Sequence, residues 1–225
     1  MNTVAARPAP RCADEVGTAL LPVMLLMFLF SAIAIAMVVV VRVETTVAAR
    51  FAEAVPALYA ADAALAVAVS ELRELVDWSP VLAGAAQSAA ADGLFTGPKA
   101  VSGGGSVDVC CGRASAAERL TRETALSAAI ARRALPWRPF LWTPLARLLP
   151  RSPLTRLYVI VFVQDDEEDG DGDPGADANG RVVVRAEAIQ PGGLRRSVEA
   201  LIAREGEPLR GLAPAIRLLR WREVR

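Results

Sequence analysis

The chain has 225 residues, zero formal net charge and no histidine. The missing imidazole removes Ser-His-Asp and Cys-His catalysis, histidine general acid–base chemistry and most zinc sites. Balanced charge leaves no basic footprint for general nucleic-acid binding.

Residues 1–17 form a short polar leader closed by Gly17. From Thr18 to Val41 run 24 consecutive uncharged, mostly apolar positions. As a helix they extend about 36 Å, enough to cross a hydrocarbon core of about 30 Å with some tilt. A removable signal has an apolar core of only about 7–15 residues followed by a small-x-small site. This segment is longer and runs straight into Arg42-Val43-Glu44, so it reads as an anchor. Arg7 and Arg11 with Asp14 and Glu15 precede it, and Arg42 and Arg50 with Glu44 and Glu53 follow, so charge sets no orientation.

Residues 42–80 predict an amphipathic extension of that helix. Val47, Phe51, Val55, Leu58, Ala61, Leu65, Val69, Leu72 and Val76 recur at spacings of three and four, and Arg50, Glu53, Asp62, Ser70, Arg73, Glu74 and Asp77 take the other face. Pro56 predicts a kink or local interruption. Trp78-Ser79-Pro80 ends the helix.

Residues 81–225 are enough for one modest globular domain. Residues 83–105, rich in alanine and glycine, read as a loop, and Val107 to Cys111 as a short strand. Adjacent Cys110 and Cys111 fit two small side chains on a strand or turn, a strained ring disulfide, or pairing with other chains. Ser115 to Leu135 predicts a helix, with Ser115 and Glu118 in capping-box spacing. Residues 136–144, with three prolines among aromatics, predict an exposed turn, then a short helix from Leu145; the two tryptophans suit packing within the domain. Strands are expected from Tyr158 to Val163, Arg181 to Ala188 and Arg196 to Arg204, with a last one from Ile216 to Arg222. Pro191-Gly192-Gly193 joins two of them into an antiparallel meander. A long helical spine packed on a C-terminal antiparallel sheet is an α+β architecture.

The leader, Gly17, the uncharged helix, its extension and the C-terminal sheet together resemble a type IV pilin-like protein, and more closely minor pilins of the PilX type. Gly17-Thr18-Ala19-Leu20-Leu21 is similar to that family's start of the hydrophobic helix. Tyr59-Ala60-Ala61-Asp62-Ala63-Ala64-Leu65 resembles its Ala-Ala-Glu-Ala signature, with Asp62 in the acidic place. Trp142-Thr143-Pro144-Leu145, Asp165-Asp166, Arg185-Ala186-Glu187-Ala188 and Pro191-Gly192-Gly193 look like its globular part. The resemblance implies cleavage after Gly17 by a prepilin peptidase, leaving Thr18 as the new N-terminus. It also implies a single-pass protein of the bacterial inner membrane with its C-terminal domain in the periplasm or in an extracellular pilus. Its partners would be other pilins, met through the N-terminal helix. Major pilins place a glutamate where this chain has Pro22. One inter-subunit contact is then missing, which suits a capping or priming subunit, and proline is tolerable near a helix start.

Eight of the 25 acidic residues fall between Asp165 and Asp177, in the loop 165–180. Such carboxylates repel one another, and Ca²⁺ is a common way to hold them together. The EF-hand pattern fails in both registers: from Asp169, Pro174 replaces the turn glycine and Gly180 the closing glutamate; from Asp165, Ala176 stands where that glutamate belongs. Asp165, Asp166, Asp169, Asp171, Asp173 and Asp177 are therefore candidate ligands of an irregular Ca²⁺ loop, the other reading being a solvated, partly disordered one. A flexible acidic loop supplies no preorganised acid–base pair, and no nucleophile motif occurs, so the chain is expected to be non-catalytic. The rival to a pilin-like structural subunit is a membrane-anchored periplasmic binding module, calcium-dependent or not, that never polymerises.

Overall fold

The computed structural model describes residues 20–102, 104–131, 135–152, 156–206 and 214–224. It divides into two units, Met1–Arg50 and Phe51–Arg225. The first helix, α1, is Leu20–Glu74.

In the first unit every described residue is helical, and residues 20–49 are exposed on all sides. A helix apolar around its whole circumference needs lipid or protein to cover it. It is long and apolar enough to cross a membrane. At its polar end Thr45 and Thr46 each donate a hydroxyl hydrogen bond to the Arg42 carbonyl, at 3.0 and 2.8 Å. Both hydroxyls are thus satisfied within the helix.

The second unit begins with the remaining turns of α1. Their buried stripe is Ala54, Ala57, Ala60, Ala61, Ala64, Leu65, Ala68 and Leu72. This corrects part of the expected face: Ala61, Leu65 and Leu72 are buried as expected, but Phe51 and Val55 are exposed and Val76 is exposed past the helix end. Apart from Leu65 and Leu72 the stripe consists of methyl side chains, and it shares one core with residues of the sheet. The expected interruption at Pro56 is also absent, since α1 is one helix through it. The carbonyl that loses its partner belongs to Ala52, on the exposed side, where water can donate to it. Trp78 is fully buried and its indole N–H donates to the Leu72 carbonyl at 2.8 Å, capping α1. A single turn, α2 (Ser79–Leu82), follows.

Next come β1 (Pro98–Ala100) and β2 (Ser106–Asp108), an antiparallel pair. The expected loop 83–105 therefore contains a strand, and the strand expected to reach Cys111 stops at Asp108. A Cβ at Gly105 would lie 2.6 Å from Cβ of Pro191, so the hairpin tip tolerates only glycine there. Cys110 and Cys111 are bonded to each other. Helix α3 is Ala116–Ala131, and its Glu118 N–H donates to Ser115 Oγ at 3.3 Å, one half of the expected capping box.

A five-stranded sheet follows: β3 (Arg138–Pro144), β4 (Tyr158–Asp165), β5 (Arg181–Ile189), β6 (Arg195–Glu205) and β7 (Ala215–Val224). Neighbours in sequence are antiparallel neighbours in space. The one-turn helix α4 (Leu145–Leu148) separates β3 from β4. The turn expected at 136–144 is thus an edge strand. Proline is compatible with an edge, and the register shifts between Pro139 and Leu141. The free side of β3 is partly covered, because Ser88 N–H donates to the Phe140 carbonyl and Asp92 N–H to that of Trp142, both at 2.8 Å.

Each face of the sheet carries its own core. Val159, Val161 and Val163 of β4 join the α1 stripe, with Val182, Val184, Ala186, Val198, Ala200 and Ile202. The alternate residues Tyr158, Ile160 and Phe162 join Trp142, Leu120 of α3 and Val107 of β2. Burial on both faces explains why β4 reads as an unbroken apolar run. The long N-terminal helix and antiparallel sheet make the fold α+β.

Candidate functional site

The acidic loop starts where β4 ends. Asp165 is the last residue of that strand and fully buried; Asp166 and Asp169 are buried too. The loop is therefore built around its carboxylates rather than simply solvated. Asp169 organises it: Oδ1 accepts the Asp171 N–H at 3.2 Å, and Oδ2 accepts those of Ala178 and Asn179 at 2.9 and 3.3 Å. Asp171 and Asp173 repeat the device one step on, accepting from Asp173 N–H at 2.8 Å and Gly175 N–H at 2.9 Å. These are the short aspartate turns that this residue type favours. Asp177 accepts the Gly180 N–H at 2.8 Å and closes the loop onto β5.

Within the second unit the loop is also anchored to the first residue of α2, Ser79. Asp177 N–H donates to Ser79 Oγ at 3.1 Å, and that hydroxyl donates to Asp77 Oδ1 at 2.7 Å. Hydrogen bonds from the Ser79 backbone and hydroxyl hold the Asp77 carboxyl below the ordinary carboxylate range. Burial pushes the Asp177 carboxyl the other way, up, against the Gly180 hydrogen bond and the Arg204 charge. Arg181 neutralises the loop's near end, pairing with Glu168 at 3.0 Å and lying 4.0 Å from Asp166.

Of the six candidate ligands, Asp165, Asp169 and Asp171 each present one carboxylate oxygen within 4.8 Å of the others. Asp166, Asp173 and Asp177 are not part of that group; Asp166 instead accepts from Asn179 Nδ2 at 3.3 Å. Oxygens held at such separations suit a hard cation, which binds carboxylate oxygens at about 2.3–2.6 Å and completes six to eight ligands with carbonyls and water. An all-carboxylate donor set suits Ca²⁺, Mg²⁺ or Mn²⁺ better than the softer copper. Gly17 and Thr18, the expected processing pair, lie outside the described residues.

One charged cluster was not legible as a unit. Glu123 of α3 pairs with Arg185 of β5 at 2.7 Å and with Arg195 of β6, and fully buried Glu187 lies 3.3 and 3.4 Å from the same two arginines. Burial pushes the Glu187 carboxyl up, partly offset by Arg185 and Arg195. Burial acts on Glu123 too, but the Arg195 and Arg185 contacts outweigh it and hold that carboxyl low. The available signal was the strand alternation of Arg185-Ala186-Glu187, which turns both charges to the α3 side. The cluster docks α3 on the sheet. Scans of family models, of curated proteins and of solved structures each return no match to this chain.

Proposed function

We propose that this chain is a non-catalytic minor-pilin-like subunit, anchored in a bacterial inner membrane and taking part in assembly or priming of a type IV pilus-like filament. The reading rests chiefly on one observation: residues 20–49 form a helix exposed and largely apolar on all sides. Such a surface is covered by lipid before assembly and by equivalent helices after it. The exchange brings little hydrophobic gain, since lipid tails are as apolar as leucine; helix-to-helix packing supplies the preference. The C-terminal domain then lies on the periplasmic side, and its partners are other pilins, the prepilin peptidase and the membrane. Pro22, in place of a pairing glutamate, suits a low-abundance position rather than the filament body.

Photo-crosslinking from Ile33 and Val40 in cells tests this reading. Adducts with other leader-bearing pilins are the expected result. Adducts with lipid alone, in cells assembling filaments, would contradict it.

A second reading is supported by the Asp165, Asp169 and Asp171 group: a membrane-anchored binding module whose loop takes up Ca²⁺. In this reading the helix never leaves the bilayer, and the same crosslinks separate the two.

A further inference from the structure

The bonded pair Cys110–Cys111 lies in the joint between β2 and α3. Cys111 is exposed, whereas Cys110 is half-buried against the core that contains Val107, Leu120 and Trp142. Among the described residues Cys111 is the one non-glycine with a left-handed backbone, at φ 74°. An L-residue avoids that region unless something holds it there, and here the ring closed between neighbouring side chains does so.

Helix α3 is laced to this joint. The Val109 carbonyl accepts the Ala117 N–H at 3.2 Å and the Gly112 carbonyl that of Ser115 at 2.9 Å. Arg122 Nη2 donates to the Arg113 carbonyl at 2.7 Å, and Arg119 donates to that of Ala114. Gly112 is pressed on Asp108, since a Cβ there would lie 2.4 Å from Asp108 Oδ2. The joint's backbone shape therefore sets where α3 begins. Further along α3, Leu120 and Glu123 make its attachment to the sheet.

We propose that Cys110–Cys111 is a reversible thiol–disulfide exchange site whose substrate is a dithiol, and that its reduction loosens α3 from the sheet. A thiolate of the dithiol attacks the sulfur of the more exposed Cys111. The Cys110–Cys111 bond breaks, and Cys110 leaves as a thiolate and takes a proton. The reductant's second thiolate then attacks its own sulfur in the mixed disulfide, releasing Cys111, which is protonated in turn. Two electrons pass to the pair, and the reductant departs as a disulfide. With the ring open, Cys111 returns to an ordinary backbone region and the carbonyls of residues 112–114 lose their alignment with α3.

The test uses full-length protein with Cys12→Ser in detergent micelles, purified without reductant and treated with dithiothreitol. Before treatment neither Cys110 nor Cys111 is alkylated; afterwards both are. On reduction, amide exchange over residues 113–124 speeds up about tenfold while β4, β5 and β6 keep their protection. The Cys110→Ser/Cys111→Ser variant matches the reduced state with or without dithiothreitol; should it fail to fold, the reduced Cys12→Ser protein decides alone. Thiols free from the outset, disulfide-linked dimers, or unchanged α3 exchange after full reduction would each overturn the proposal.

Discussion

The indole N–H of Trp221 on β7 donates to Oδ1 of Asp62 on α1 at 3.2 Å. The contact ties the last strand to the helix at the acidic residue of the Ala-Ala-Asp-Ala run. Both residues are exposed, and a hydrogen bond of this kind contributes about 0.5–1.5 kcal/mol. Asp62→Ala is expected to lower unfolding stability by that amount, and in a Trp221→Phe background to cost almost nothing more. Additive losses in a double-mutant cycle would show that the two side chains do not interact.

The alanine stripe makes a sharper prediction. Ala64 is fully buried between α1 and the sheet, whereas Val55 is exposed on the same helix. Ala64→Leu inserts three carbons into filled space and should destabilise by about 1–3 kcal/mol. Val55→Leu should change stability by less than about 0.5 kcal/mol. Denaturant unfolding of the two variants decides; equal effects would mean the helix does not pack through its alanines.

That stripe also marks the limit of what a single sequence makes legible. Alternation and β-branched content located β4 through β7, because strand burial depends on residues that announce themselves. The buried face of α1 is written mostly in alanine, which periodicity arguments weight lightly beside valine and phenylalanine. Residues 136–144 hide a strand for a related reason: proline argues against a regular element, but an edge strand has fewer ladder bonds to lose. In the acidic loop, composition identified the carboxylates but not their arrangement. The grouping of Asp165, Asp169 and Asp171 comes with the aspartate turns, and the loop's far end is held by Ser79, 98 residues from Asp177 in sequence.

Glu123 and Glu187 share Arg185 and Arg195 but should respond to pH in opposite senses. Glu123 is held low, so its stabilisation is present above the unfolded carboxylate pKa and is lost as pH falls through the folded value. Glu187 is pushed up, so its favourable share is present below the unfolded pKa and is lost as pH rises through the folded one. Glu123→Gln is expected to cost about 1 kcal/mol at neutral pH, a small figure because water screens a side chain about a third exposed. That cost should fade below the ordinary carboxylate range. Glu187→Gln should be neutral or stabilising at pH 7, with the gain shrinking on acidification. Urea unfolding across pH checks both, and parallel profiles for the two variants would refute the assignment.

Calcium binding by the loop is testable without knowing any partner. At a Ca²⁺ concentration about 100-fold above Kd the folded state gains about 2.7 kcal/mol, which raises the melting temperature. Asp171→Asn removes one exposed charge and leaves the Asp169 hydrogen bonds intact, so it should abolish the rise without unfolding the loop. An unchanged melting temperature at millimolar Ca²⁺ would remove the metal reading.

The most direct measurement of the membrane-subunit account is the N-terminal sequence of the protein recovered from cells that contain a prepilin peptidase. Cleavage after Gly17, with Thr18 as the first residue, is the predicted result. A mature chain that still carries Cys12 and the residues before it would contradict the account.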